Sequence, residues 1–269
     1  MRGATLLGLG IGAALIVLQA VAWLSGLDTA SINIAGAFEG ASWVHWMGTD
    51  DLGRDVLARL AGGIRVSLTV AGVVLLITGS IGITLGFLAG WFGGWVDVVI
   101  GKMTEVVLSF PGLLLALALA ALVGAGMGNV MVALGLLGWV GFCRLARVEV
   151  MKLRSVPFVN AAKLAGVATP TIWLRHVLPN CTGPLLVEAL LVVAGTMVAE
   201  AGLSFLGLGI PAPLPSLGGM LRDGMRDVLV APMLVVYPAV VLISLSVGVN
   251  LLAQGLRARF LHGKDLSHE

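Results

Sequence analysis

The chain has 269 residues, of which 58% are hydrophobic and only 11% are charged, and its mean hydropathy is +1.04. A soluble domain carries about twice that charged fraction, so the composition excludes an ordinary water-soluble fold and indicates a protein that lies largely in lipid. The formal net charge of +2 is too small to indicate a nucleic-acid-binding protein.

Six apolar runs of membrane-spanning length follow one another along the chain, since each has about the 20 residues that a helix needs to cross a bilayer. They predict an all-α, polytopic membrane helix bundle. Six spans place the N-terminus, the C-terminal tail and the basic segment before span five on one side, which the positive-inside rule assigns to the cytoplasm. The predicted spans are residues 4–24, 66–89, 98–123, 130–150, 182–203 and 233–252.

The interval between the first two spans, residues 28–65, carries balanced charge, which suits the non-cytoplasmic side. Within it, Thr49 or Asp50 is predicted to cap a short helix that begins near Asp51, and a helix that lies at the membrane surface is the simplest interpretation. His45 is the candidate metal ligand at the outer mouth. A lone histidine is rarely a ligand, because a transition-metal site needs several converging side chains, and no metal site is expected.

Span two contains three glycines, Gly82, Gly86 and Gly90, that are four residues apart and therefore share one helix face. This spacing of small residues lets another helix backbone approach closely. General enrichment of glycine in membrane helices is the alternative interpretation.

Three residues inside the spans are candidates for the translocation pathway. Pro111 is predicted to kink span three, and Glu188 and Glu200 are carboxylates within or near the end of span five. A carboxylate in a span is costly and usually faces the bundle interior or a water-filled path. A structural pairing with a partner subunit is an equal alternative for Glu188. The Gly- and Pro-rich stretch 199–221 is expected to be sheltered by protein or to line a cavity.

The segment 160–179 is the longest polar interval between apolar runs in the C-terminal half. Residues 157–164 are predicted to form a short helix, Gly166 to follow it as a capping glycine, Pro170 to open a second short helix, and Pro179 to mark a break. From charge alone, a basic cytoplasmic loop is the default interpretation. The basic residues in or beside it are Arg144, Arg147, Lys152, Arg154, Lys163 and Arg175.

The order of residues in this segment resembles the EAA loop of ABC-importer permeases: an Ala-Ala pair at 161–162, a Gly at 166 and Leu-Pro at 178–179. In that family the loop forms a coupling helix that docks into a cleft on a cytoplasmic ATPase. Asn160 stands where the family usually has glutamate, so it offers hydrogen bonds but no charge. The resemblance implies ATPase-coupling roles for Asn160, Ala161, Ala162, Lys163, Gly166, Arg175, Leu178 and Pro179.

Two further strings resemble the same family. GTDDLGRDVLARL at 48–60 is similar to the signature before the second span of the C-type permease subunits of peptide and nickel importers, and AEAGLSFLGLG at 199–209 is similar to the string after the fifth span. The three motifs occur in the family's order and cover roughly residues 45–257. The resemblance implies a type I ABC-importer transmembrane domain with a cytoplasmic coupling helix.

The resemblance implies one transmembrane domain over residues 1–269, with a first span and outer interval (1–65), a permease core (66–254) that contains the coupling loop 151–180, and a cytoplasmic tail (255–269). It further implies a homologous second permease, two cytoplasmic ATPases that hold ATP and Mg, and an extracytoplasmic solute-binding protein, all at the bacterial inner membrane. The chain has no GxxxxGK[ST] string, so it is expected to have neither a catalytic site nor a bound cofactor of its own.

Two other classes of function stay open on the residues alone: an ATP-independent secondary transporter or channel, and a membrane scaffold that transports nothing. Inverted repeats with paired broken helices favour a secondary transporter, and no clear repeat is evident in the sequence. The expected solute is a dipeptide or oligopeptide, or nickel or a metal chelate. The short outer interval before GTDDLGRD resembles the nickel and metal-chelate permeases more than the long-loop oligopeptide permeases.

Overall fold

The computed structural model describes residues 31–265, together with residues 6–8, 10, 11 and 13. Within these residues the regular structure is helical, and the one β-type contact is an isolated bridge between Thr49 and Asp55. The predicted all-α class is therefore confirmed. Most of the predicted first span, residues 4–24, lies outside the described residues.

The helices are numbered here from residue 31 onwards. A single 3-10 turn, Ile34–Gly36, precedes them, and a wide π-helical turn, Trp173–Val177, joins α7 to α8. The α-helices are α1 Val56–Phe92, α2 Gly94–Leu108, α3 Gly112–Val123, α4 Met127–Leu137, α5 Trp139–Leu153, α6 Pro157–Leu164, α7 Thr169–Ile172, α8 Leu178–Phe205, α9 Leu217–Arg226 and α10 Met233–Asp265.

Four helical runs are long and apolar enough to cross a bilayer: Val56–Phe92, Met127–Leu153, Thr169–Phe205 and Met233–Ala258. A fifth candidate is α2 together with α3, which are bent by 80° at the break between them. These five match predicted spans two to six in order. The bend falls at Pro111, as predicted, since proline has no backbone N–H and cannot continue the hydrogen-bonded ladder.

The bent pair crosses the bundle once, because its two ends lie on opposite sides. The α1 and α8 helices are antiparallel, since Ser67 near the start of α1 bonds Glu200 near the end of α8. The pair starts at Gly93, directly after α1. It ends beside Gly126, whose N–H donates to the carbonyl of Gly209, just after α8, at 2.9 Å.

The start of α1 differs from the prediction. The helix begins at Val56, not near Asp51, and its cap is Asp55, whose carboxylate accepts the N–H of Ala58 at 2.8 Å. Asp50 instead accepts the N–H of Leu52 and of Arg54, both at 2.9 Å, and so holds a tight loop. The predicted surface helix is therefore the first part of α1, which runs without interruption into span two.

Pro179 does not interrupt the helix, contrary to the prediction. The π-helical turn leads directly into α8, and Pro179 lies in the first turn of that helix. The proline ring and its missing N–H are accommodated because the wide π-helical turn just before it already departs from the regular hydrogen-bonded ladder. Thr169–Phe205 is consequently one helical run of 37 residues.

The bundle is built around α1, on which α2, α4, α5 and α8 pack. One apolar cluster, at the end of the bundle where α1 begins, joins Leu60 and Ile64 of α1 to Met197 of α8 and Leu217 of α9. A second cluster at the opposite end joins Phe87 of α1 to α5 and to the segment that contains α6 and α7. Each end of the bundle therefore has its own apolar cluster, and α1 contributes to both.

Candidate functional site

The predicted coupling segment forms two short helices, α6 and α7, at the basic end of the bundle. Helix α6 has the predicted bounds of 157–164, and Pro170 lies in the first turn of α7. After α6, Gly166 has φ +74, and the N–H of Val167 donates to the carbonyl of Ala162 at 3.1 Å. This is a Schellman cap, which favours glycine because a residue with a side chain is strained in the left-handed backbone conformation.

Buried side chains fix these two helices to the bundle. Val159 of α6, Ile172 of α7 and Val177 of the π-helical turn are all buried in the cluster that contains Phe87 and Phe142. Trp173 packs edge to face against Trp91 of α1, with ring centroids 6.0 Å apart. The segment is therefore a packed part of the fold and not a loose loop.

Two cations tie the same segment to the end of α1. One terminal nitrogen of Arg154 donates to the carbonyls of Gly90 and Trp91 at 3.0 and 3.3 Å. Lys163 donates to the carbonyl of Arg154 at 3.1 Å, and its ammonium lies 4.4 Å from the centroid of the Trp91 ring. Arg154 thus satisfies carbonyls at the end of α1 that have no intrahelical partner. Lys163 in turn connects α6 to Arg154 and to Trp91, so α1 and α6 are held together by side-chain contacts.

The predicted coupling residues fall into two groups according to their exposure. Ala162 and Leu178 are half-buried and pack inward. Asn160 is exposed, and its side-chain amide donates to the carbonyl of Ser155 at 3.2 Å. Leu164, which the sequence interpretation did not single out, is 89% exposed. The other predicted coupling residues are exposed: Ala161, Lys163, Gly166, Arg175 and Pro179.

The three glycines of α1 face helix α5. A Cβ atom on Gly86 would lie 2.5 Å from the carbonyl oxygen of Cys143, and one on Gly90 would lie 2.7 Å from that of Arg147. A Cβ atom on Gly82 would meet the carbonyl oxygen of Trp139. All three contacts are with backbone atoms, so no side-chain rotation can relieve them.

The two carboxylates of α8 lie in different surroundings. Glu200 has no exposed area, and its two oxygens accept hydrogen bonds from the hydroxyls of Ser67 at 2.8 Å and Ser204 at 2.9 Å. Glu188 is half-buried, and its carboxylate lies directly over Gly141 of α5, where any side chain would collide with it. Glu200 therefore belongs to a packed network between α1 and α8, whereas Glu188 keeps an accessible carboxylate halfway along the bundle.

The bend at Pro111 lies on the surface of the chain. Ser109, Phe110, Pro111, Gly112 and Leu113 are all exposed, and a large apolar surface continues along α3. An apolar surface of this extent marks a contact with lipid or with another protein.

At the end of the bundle where α1 begins, a charged cluster lies beside a cavity of about 280 Å³. Asp50 accepts hydrogen bonds from Arg54, at 2.7 Å, and from Arg59. Arg59 also lies 3.9 Å from Asp223 of α9. The Gly- and Pro-rich stretch 207–216 forms much of the cavity wall, together with these arginines. This is the arrangement expected for apolar, irregular backbone at a membrane edge.

Sequence interpretation missed this charged cluster, although the alternating acids and bases of residues 50–59 are its signal. It considered His45 as a metal ligand. The ring of His45 instead lies 2.9 Å from the carboxylate of Asp55, which also caps α1. In the described residues, no three His, Cys, Asp or Glu side chains come together as a metal site would require.

Comparison with known proteins supports the family resemblance that the three motifs indicate. Residues 82–262 match the family model of the binding-protein-dependent transport system inner membrane component. The chain is 37% identical over 219 residues to the glutathione transport system permease protein GsiD of Pectobacterium atrosepticum, a match that covers 81% of this chain and 73% of that protein.

A second relative is the dipeptide transport system permease protein DppC of Alkalihalophilus pseudofirmus. It is 37% identical over 236 residues, which are 87% of this chain and 77% of the relative. The family model and both relatives cover the coupling helices and most of the bundle. The chain therefore belongs to the inner membrane components of binding-protein-dependent transport systems, in the peptide and nickel ABC-importer permease family.

Proposed function

We propose that this chain forms half of the translocation pathway of an ATP-driven importer, and that two cytoplasmic ATPases drive it through α6 and α7. The observation that carries this proposal is the construction of those helices: a rigid pair, anchored by Val159 and Ile172, with Leu164 projecting from its outward face. A loop without a partner has no need of a buried anchor and an exposed leucine together.

The solute that we propose is a small peptide of the dipeptide or glutathione class. The two relatives are named for glutathione and dipeptide transport, and this similarity over most of the chain outweighs the loop-length analogy with nickel permeases. Glu188 is the pathway residue that we favour, because its carboxylate is accessible and can meet the free amino group of a peptide. A solute-binding protein would deliver the peptide at the outer end, beside the cavity lined by Arg54 and Arg222.

We place the coupling end in the cytoplasm of a bacterium and both termini on the same side. Basic residues flank the coupling helices, as the positive-inside rule requires for cytoplasmic segments. Near the N-terminus, Gly8 packs against Gly248 of α10. Farther along α10, Phe260 packs against Gly183, six residues after the π-helical turn.

The partners follow from what this chain lacks. It has no phosphate-binding loop, so ATP and Mg would be held by the two ATPases. A second, homologous permease would complete the pathway and cover part of the exposed apolar surface around Pro111. Closure of the ATPases on ATP would move α6 and α7, and the helical run Thr169–Phe205 would carry that movement toward the outer end.

The experiment is uptake of a labelled dipeptide and of labelled glutathione into vesicles that contain this chain with its second permease, both ATPases and the solute-binding protein. We expect uptake only with ATP on the ATPase side, and no ATP hydrolysis by the purified chain alone. Uptake that persists without ATP would instead support a secondary transporter. A complex that hydrolyses ATP in response to a nickel-loaded binding protein, and to no peptide, would overturn the proposed solute.

A further inference from the structure

Helix α2 is only sparsely covered by the rest of the described chain. Of the side chains of this helix, only those of Ile100 and Thr104 are buried. An ion pair holds it to α5, in which Arg147 donates to both carboxylate oxygens of Asp97, one of them at 2.7 Å. Ile100 of α2 and Trp139, Val140 and Cys143 of α5 also belong to one apolar cluster. Beside these contacts, a groove between the two helices holds two adjoining cavities.

The first cavity is polar and has a volume of about 520 Å³. Two acids and three cations line it, but both acids are already neutralised: Asp97 by Arg147, and Glu105 by Lys102 at 2.7 Å. The third cation, Arg144, is exposed and has no hydrogen-bond or ion-pair partner within residues 31–265. The cavity therefore presents one uncompensated guanidinium group.

The second cavity is apolar and has a volume of about 550 Å³. Val99, Met103, Val106 and Trp139 line it, and it shares Val98 and Lys102 with the polar cavity. A single groove thus offers a cationic end and an apolar end, with Lys102 at the boundary between them.

The depth of the groove suits a lipid headgroup. Asp97 is four residues from Gly93, where the chain turns at the coupling end, so it lies about 6 Å along the helix from that turn. Arg144 is three residues before Arg147, the partner of Asp97, and so lies about 4.5 Å deeper, a distance that its long side chain can bridge toward the headgroup region. Basic pockets between membrane helices at the cytoplasmic surface are a known setting for anionic headgroups. A guanidinium group also forms paired hydrogen bonds with phosphate oxygens.

We propose that the groove between α2 and α5 binds an anionic phospholipid, with its phosphate on Arg144 and one acyl chain against Met103, Val106 and Trp139. The charge pattern favours this occupant, because a phospholipid pairs one anionic phosphate with apolar chains, as the groove pairs the unpartnered guanidinium of Arg144 with an apolar surface.

The test uses the complete complex in phosphatidylethanolamine vesicles that contain phosphatidylglycerol with a photoreactive group on its acyl chain. After illumination, mass spectrometry locates the labelled residues. We expect labels on α2 around Met103 and on Trp139, and competition by unlabelled phosphatidylglycerol but not by added phosphatidylethanolamine. Arg144→Gln should lower this labelling roughly fivefold, the change expected for one cation near a membrane surface.

Two matched variants test whether the labelling depends on Arg144 itself, and a second crosslink tests whether lipid or protein occupies the groove. Lys152→Gln removes an exposed cation from the same helix, away from the groove, and should leave the labelling unchanged; Arg144→Lys should restore part of it. Labelling that is equal in wild type and Arg144→Gln would overturn the headgroup site. A photoreactive amino acid at Met103 that crosslinks to the second permease, and not to lipid, would also overturn the proposal by showing that a protein fills the groove.

Discussion

The guanidinium group of Arg154 donates to the carbonyl oxygen of Gly90 at 3.0 Å, and so joins the coupling segment to the last turn of α1. The two residues are 64 positions apart in the chain. A cation at a helix C-terminus satisfies orphan carbonyls and interacts favourably with the helix dipole. The contact therefore stabilises both the end of span two and the position of α6.

Arg154→Met tests this junction, since it keeps an unbranched side chain and removes every donor. Hydrogen bonds from a charged donor contribute about 1.5–3 kcal/mol, so we expect the segment to loosen by about 1–2 kcal/mol. Less solute should then be imported for each ATP hydrolysed. Hydrogen exchange of α6 in the complex and the transport-to-hydrolysis ratio are the measurements. Lys152→Met, on the exposed side of α5, is the control and should change neither.

Gly86→Leu should prevent normal packing of α1 on α5. Its Cβ atom alone would approach the Cys143 carbonyl to 2.5 Å, and overpacking a tight site costs about 1–3 kcal/mol or more. Gly72→Leu is the matched control on the same helix, because Gly72 is exposed and has no atom of the described chain within 4 Å of its Cβ position. Yield of folded complex in detergent is the measurement, and equal yields would contradict close packing at Gly86.

The substitutions that Gly166 tolerates should be limited by its backbone conformation and not by the space around it. No atom lies within 4 Å of its Cβ position, but its φ is +74. A non-glycine residue in the left-handed region costs about 1–2 kcal/mol, and asparagine tolerates it best. We expect Gly166→Val to impair coupled transport strongly and Gly166→Asn to retain most of it. Equal loss in both variants would indicate instead that the partner ATPase needs the bare surface.

Ala161 and Ala162 should respond differently to enlargement. Ala161 is exposed, so Ala161→Trp should leave the permease folded and block docking of the ATPase. Ala162 packs inward, so Ala162→Trp should first disturb the fold of α6. Thermal stability of the permease and its binding to the purified ATPase separate the two effects. Full ATPase binding by Ala161→Trp would remove this face from the docking surface.

Glu200 and Ser67 should be energetically coupled across the α1–α8 contact. Hydrogen bonds between membrane helices contribute about 0.6 kcal/mol on average and up to about 1.7 kcal/mol. Glu200→Ala and Ser67→Ala should each destabilise the permease, and the double variant should be less destabilised than the sum of the two. Unfolding in detergent across the double-mutant cycle measures this coupling. Strict additivity would mean that the hydrogen bond contributes nothing to stability.

Local signals predicted the two short helices α6 and α7 well. Pro157, Gly166 and Pro170 each act within a turn of their own position, so the bounds of α6 and the start of α7 follow from the residues themselves. The bend at Pro111 was predictable for the same reason.

Tertiary contacts explain what could not be predicted. Asp50 has the side chain of a helix cap, but Arg54 and Arg59 bind its carboxylate, and the cap passes to Asp55. Pro179 looks like a break, but the wide π-helical turn before it keeps the chain helical. The exposure of Ala161 and the burial of Ala162 depend on which way α6 faces, which only its packing against α1 and α5 decides.

The uninterrupted helix from Thr169 to Phe205 has a mechanical consequence. Its 37 residues span about 55 Å at 1.5 Å each, more than the full thickness of a bilayer with its headgroups. It is therefore one long element, with α7 at its start and, near its other end, the hydroxyl of Ser204, which accepts the N–H of Ile210 at 3.2 Å. Bending is concentrated where the ladder is weakest, at the π-helical turn and at Pro184. The stiffness of those two points sets how much of a displacement of α7 reaches Ser204 and Ile210.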